Sequence, residues 1–215
     1  MATVTGGIDT RRPGASVDSD RTGVAPLLHI EDLDVHFKTP RGIARVVDGA
    51  NLTVNHSEII GIAGESGSGK TTLVEAILQI IRFTNRTTNG RVLFSPDGVQ
   101  QVDLMTLGPR EMRRLRGKDI AYVPQGSMNS LNPVMRVADQ IVDGMVDHGV
   151  SPRQARARVP DLLDRVGLEA RAARLYPHEL SGGMKQRVII AIAIAMDPKL
   201  IVADEPTTAL DVNVQ

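Results

Sequence analysis

The chain has 215 residues, enough for one large domain or a core carrying a subdomain, and its 41% hydrophobic and 23% charged residues are ordinary for a globular protein. Basic and acidic residues balance at 25 each and only 2% are aromatic, so charge and stacking both argue against nucleic acid as a partner. Cysteine is absent, which excludes disulfides, thiolate metal sites and iron–sulfur clusters within these residues and fits a cytosolic protein.

Residues 1–25 are rich in Gly, Thr, Ser and Asp, show no apolar period, and read as a disordered tail without the apolar stretch of a signal peptide. Leu28 to Phe37 alternates imperfectly, as a half-buried strand does. Thr39-Pro-Arg-Gly42 is a turn, and Ile43 to Val54 continues as strand, so an antiparallel sheet is predicted here. Phe37 on that first strand is either core packing or a ring stacked on a base at the edge of a nucleotide site.

The next stretch organises the chain. A short apolar run, Ile59-Ile-Gly-Ile-Ala63, is predicted to be a strand and leads into Gly64-Glu-Ser-Gly-Ser-Gly-Lys70-Thr71-Thr72. An apolar helical pattern follows to about Ile81, giving the strand, loop and helix order of a phosphate-binding P-loop. Glycines let backbone N–H groups turn inward around phosphate oxygens, and the helix start near Gly69 offers free N–H groups and a positive dipole end. Lys70 can reach the terminal phosphates, and the Thr71 hydroxyl can ligate the magnesium that bridges them. The pattern predicts binding of a nucleoside triphosphate across Gly64, Glu65, Ser66, Gly67, Ser68, Gly69, Lys70, Thr71 and Thr72.

Residues 82–89 are polar and turn-like, and Gly90 to Phe94 resumes a strand. Arg110, Arg113, Arg114, Arg116 and Lys118 cluster on a short predicted helix and read as a solvated face. Asp119 to Val123 is a buried strand delivering Gln125 at its end, followed by the loop Gly126-Ser-Met-Asn-Ser-Leu-Asn-Pro133. Helical stretches over 134–148, 151–166 and 169–175 then form an all-helical insert, the second opened by the helix-start signal Ser151-Pro152. Leu180-Ser-Gly-Gly-Met184 enters a helix whose apolar run, Val188 to Met196, falls short of the roughly 20 residues of a membrane span. Any membrane role therefore comes through a partner.

Leu200-Ile-Val-Ala203 is predicted to be a buried strand ending in Asp204-Glu205, and Pro206 to Asp211 is a loop. Beside a P-loop, Asp204 fits the second magnesium support, and Glu205 fits the carboxylate that orients or deprotonates the attacking water. Gln125 can add an oxygen ligand to the metal or to that water. Ser181-Gly-Gly183 is a second glycine-rich helix start, where one nucleotide needs only one; it is either a cap or part of another copy's site.

Taken together, Gly64–Thr71, Gln125, Leu180–Met184, Leu200–Asp204, Glu205 and Asp211 stand in the order of Walker A, Q-loop, signature, Walker B, catalytic glutamate and D-loop. The chain thus resembles the ATP-binding subunit of an ABC transporter over residues 28–215. The Thr39–Gly42 extension, the loop after Gln125, Tyr176-Pro-His-Glu-Leu-Ser-Gly-Gly-Met184 and Asp204–Gln215 are similar to the importers of oligopeptides, dipeptides and nickel.

That resemblance implies an α/β fold: a RecA-like P-loop core with an antiparallel β arm and an inserted helical subdomain. The expected layout is β arm and P-loop over 26–106, helical subdomain with the Q-loop strand over 107–178, and the signature helix, Walker B and D-loop over 179–215. It implies ATP and Mg2+ as cofactors, with catalytic roles for Glu205, Gln125 and Lys70 and metal ligation by Thr71, Gln125 and Asp204. Ser181, Gly182 and Gly183 would close on the ATP of a second ATPase subunit, with Asp211 and Phe37 also at the nucleotide. Permease subunits in the membrane and an external binding protein would complete the importer, with this subunit peripheral on the cytoplasmic face. Family members continue past the D-loop to a further strand and a histidine, so the core is expected to be C-terminally incomplete. The alternatives are a soluble ABC ATPase of DNA repair or translation, and a non-hydrolysing truncated remnant.

Overall fold

The computed structural model describes residues 24–205, and the chain divides into two compact units, Met1–Gly108 and Pro109–Gln215. The loop Pro206–Asp211, including Asp211, and residues 1–23 of the expected tail lie outside the described residues.

The first unit is built on an antiparallel sheet. Strands β1 (Leu28–Thr39) and β2 (Gly42–Val54) form a hairpin closed over Pro40-Arg41, where the Thr39 hydroxyl donates to the Gly42 carbonyl at 2.8 Å. β3 (Arg86–Phe94) pairs with the other edge of β1, and the short β4 (Val102–Asp103) completes the order β2-β1-β3-β4. The alternation read from the sequence is real: Leu28, Ile30, Leu33 and Val35 of β1 are buried, as are Val47, Ala50, Leu52 and Val54 of β2. Its imperfection is a bulge. Asp32 adopts a left-handed φ of 44° and exchanges two 3.0 Å hydrogen bonds with the side chain of Asn51, and the ladder slips between Ile30 and Leu33.

Three expectations fail in this unit. Residues 86–89 are strand rather than turn, because β1 runs on to Thr39 and offers a ladder from Val35 to Phe37 to Thr88, Thr87 and Arg86. The run Ile59–Ala63 is not a strand. A strand exists through its ladder, and none of the described strands pairs with this run; Ile59 is 97% exposed. The P-loop helix is also shorter than read: α1 spans Lys70–Ile77 and its chain turns away at Gln79, with φ 51°. Leu73, Val74, Ala76 and Ile77 of α1 are buried.

The second unit is mainly helical. After α2 (Pro109–Leu115), β5 (Ile120–Val123) pairs in parallel with β6 (Leu200–Ala203), Ile120 opposite Leu200 through Val123 opposite Ala203. Between them lie α3 (Val137–Val146), α4 (Pro152–Arg165), a 3-10 turn over Ala170–Arg174, and α5 (Gly182–Ile194). Their apolar faces share one core with Ile141, Met145, Ala155, Leu162, Leu163, Val188 and Ala191 at its centre. α4 starts as its sequence dictates: the Ser151 hydroxyl caps the Gln154 N–H, and Pro152 fills the first turn. β6 departs from the fully buried strand expected, since Ile201 is 50% exposed; among the described residues a two-stranded parallel sheet leaves each strand an unpaired edge. No helix among the described residues is long and apolar enough to cross a membrane.

Candidate functional site

In the first unit the loop Gly64–Gly69 leads directly into α1. Gly69 is the N-cap residue with φ 93°, and a Cβ there would lie 2.6 Å from the Val46 carbonyl, so both the backbone angle and the space require glycine. The Leu73 N–H closes the first helical turn on the Gly69 carbonyl at 2.8 Å. No side chain caps this helix, so its leading N–H groups remain directed at the loop. Lys70 folds back over the same loop: its Nζ donates to the carbonyls of Gly64 at 2.7 Å and Glu65 at 2.8 Å, and to the Ser68 hydroxyl at 3.3 Å. The ammonium is thus fixed over a loop of exposed backbone at the start of a helix with no side-chain cap. Such an arrangement has the chemistry to take an anion with several oxygens. Thr71 is exposed and Thr72 half-buried at the start of α1.

The half-buried ring of Phe37, also in this unit, meets the Phe83 ring edge-on, with centroids 5.7 Å apart and planes at 84°. Phe83 was not singled out from the sequence. Its polar surroundings gave no apolar period, and its place beside Phe37 depends on Arg86, whose guanidinium holds the carbonyls of Ile81 and Phe83 at 3.0 and 2.8 Å.

In the second unit the parallel ladder carries β5 and β6 to a common end, and there the predicted residues meet. The Asp204 N–H donates to the Val123 carbonyl at 2.9 Å, which extends the pairing of the two strands by one step. Gln125 then donates from Nε2 to Glu205 Oε2 at 2.6 Å. Asp204 is buried at 7% exposure, whereas Glu205 and Gln125 are exposed. Glu205 has φ 48°, a left-handed conformation uncommon for a residue with a long side chain and of a kind that gathers at functional sites.

Ser181 caps α5, its hydroxyl accepting from the Met184 N–H at 3.3 Å, so the cap reading of this motif holds. Its glycine neighbours stay open, with Ser181 and Gly182 exposed and Gly183 half-buried. A Cβ on Gly182 would lie 3.5 Å from Met128 Sδ, which places the start of α5 against the loop after Gln125. A buried pair behind that loop escaped the sequence: Ser127 Oγ lies 3.5 Å from Gln186 Oε1. A glutamine inside the apolar face of α5 was the available signal.

A family model described as ABC transporter matches residues 47–208. The chain belongs to the ABC transporter family. Among curated relatives, the oligopeptide transport ATP-binding protein OppD of Bacillus subtilis is 42% identical over 196 residues, covering 89% of this chain and 53% of the relative. The dipeptide transport ATP-binding protein DppD of Escherichia coli is 43% identical over 192 residues, covering 88% of this chain and 57% of its own length. The chain therefore spans little more than half the length of the curated relatives it matches. Among solved structures, the ATP-binding cassette MJ0796, a dimer in a post-hydrolysis state bound to ADP and Pi, is similar at TM-score 0.74 and 29% identity, over 87% of this chain and 77% of that one. The ABC cassette fold is therefore this chain's fold.

Proposed function

We propose that this chain is the ATP-binding and ATP-hydrolysing part of an ABC importer subunit, and that the cargo is peptide. The observation that carries the reading is the loop Gly64–Gly69, with Lys70 Nζ held at 2.7 and 2.8 Å over its own carbonyls at the uncapped start of α1. The names of OppD and DppD support peptides as the cargo class, and the dimeric MJ0796 cassette supports work in pairs.

In this reading Gly64–Thr72 cradle the phosphates and Lys70 neutralises the terminal one. The Phe37 ring stacks on adenine. Glu205, steered by Gln125, accepts a proton from the attacking water. Ser181, Gly182 and Gly183 of a second ATPase subunit cover the nucleotide from the other side, with Asp211 nearby. Thr71, Gln125 and Asp204 offer hydroxyl, amide and carboxylate oxygens, the hard donor set that magnesium takes. When bound, that ion supplies charge neutralisation at the phosphate oxygens. Permease subunits receive the resulting motion on the cytoplasmic face of the membrane, and an external binding protein supplies the peptide.

Two variants separate binding from hydrolysis. Lys70→Ala is expected to lose ATP binding, measured by titration calorimetry. Glu205→Gln keeps an oxygen to accept from the Gln125 amide and is expected to bind ATP normally while losing most turnover, about a hundredfold or more for removal of a general base. Undiminished phosphate release by Glu205→Gln would overturn the assignment of the base, and undiminished ATP affinity in Lys70→Ala would overturn the nucleotide site.

A further inference from the structure

The basic cluster expected to be a solvated face is concave. Within the second unit, Arg110, Arg113, Arg114, Arg116 and Lys118 line an open cavity of about 810 Å³. Pro109 at the start of α2, and Asp147 and His148 at the end of α3, complete the lining. Five cations therefore face one carboxylate.

Elsewhere among the described residues six guanidiniums have carboxylate partners, among them Arg45 with Asp48. Arg91 pairs with Glu31, Arg156 with Asp139, Arg158 and Arg165 with Asp197, and Arg171 with Glu169. None of the five cavity cations forms an ion pair with a carboxylate among the described residues. Like charges lining a concavity repel one another within a Debye length, about 10 Å at moderate salt, and a convex solvated face would let them spread. Holding them together costs stability that a bound anion returns.

The wall is also fixed in shape. Arg116 Nε donates to the Met112 carbonyl at 3.4 Å, and the Gly117 N–H donates to the Ile120 carbonyl at 2.8 Å. Gly117 has φ 82°, and a Cβ there would lie 2.7 Å from His148 Nε2, so the chain after α2 runs hard against the histidine. Planar guanidiniums in a preformed recess suit bidentate recognition of phosphate oxygens.

The geometry points to a second anion site in this chain, distinct from the P-loop, that takes a group bearing several phosphate charges. Such a group is either a soluble polyphosphate anion or the head groups of an anionic lipid surface, and the chemistry is shared.

The test is a titration of the whole chain with inorganic tripolyphosphate, followed by amide chemical shifts. The amides of Gly117 and His148 report the cavity, and those of Gly67 and Gly69 report the P-loop, so failure of one site is distinguishable from failure of the other. A saturable shift at Gly117 and His148 is expected, weakened at least about tenfold in the double variant Arg113→Glu, Arg114→Glu and retained in Arg113→Lys, Arg114→Lys. Both arginines are exposed, and unchanged amide shifts of α4 and α5, in the same unit, certify that the charge-reversed variant is folded. A parallel sedimentation with phosphatidylglycerol vesicles identifies the source. Capture by vesicles that the charge reversal abolishes assigns the phosphates to lipid, and tripolyphosphate binding without capture assigns them to a soluble anion. The site is overturned if neither probe engages it, or if both engage the charge-reversed variant equally.

Discussion

Gly69 is the residue on which the P-loop turns, and its replacement gives a sharp test of the loop. Gly69→Ala must place a Cβ 2.6 Å from the Val46 carbonyl at a φ of 93°. Backbone strain and a contact that cannot swing away together cost about 2 kcal/mol or more. Chemical denaturation should show that loss, and nucleotide affinity should fall with it. Asp197 offers a second test. Its carboxylate takes Arg158 at 2.7 Å and Arg165 at 3.1 Å, tying α4 to the residue that ends the α5 segment. The Arg165 hydrogen bond, opposed by burial and then reinforced by the charge and hydrogen bond of Arg158, holds its carboxyl below the usual 3.8. A depressed folded-state value means stability present at neutral pH and lost as pH falls through that value. Asp197 is well exposed, so solvent screening limits the gain to under about 1 kcal/mol. Asp197→Asn, which tolerates the left-handed φ of 51°, should therefore be slightly less stable than the parent at neutral pH. The deficit should shrink as pH falls below 3.8 and be gone once pH passes below the lowered folded-state value.

The helices carry a comparison between two serine caps. Ser151 caps α4 and Ser181 caps α5, each through its hydroxyl on an N–H of the first turn. Alanine at either position should cost about 1 kcal/mol of stability in a thermal or denaturant melt. Only Ser181→Ala should also weaken ATP-driven pairing of subunits, because only that cap is proposed to face a nucleotide. Equal effects of both variants on pairing would reduce Ser181 to a cap alone. The elements legible in the sequence were those with local causes. Ser151-Pro152 marks α4, the 39–42 turn sets the hairpin, and the spacing of Val159, Leu162, Leu163 and Val166 sets the face of α4. What the sequence concealed depends on distant partners. Arg86 to Asn89 look like a turn until β1 supplies a ladder, and Ile59–Ala63 look like a strand although none of the described strands pairs with them. Spacing alone found Gln125 and Glu205, but their 2.6 Å contact required β5 and β6 to end together. The basic run on α2 was visible as charge and not as shape, since its concavity depends on the end of α3.

For the molecule as a whole, ATP at Gly64–Thr72 is proposed to join two ATPase subunits through Ser181–Gly183. Such joining explains why one chain carries two glycine-rich helix starts. One has no side-chain cap and a lysine folded over it, and the other is capped by serine with its glycines left open. The most direct measurement is sedimentation velocity of Glu205→Gln with and without ATP and magnesium, with Lys70→Ala as the control. A dimer that forms only with ATP, and never in Lys70→Ala, is the expected result. A Glu205→Gln protein that binds ATP by calorimetry and still sediments as a monomer at saturating nucleotide would contradict it.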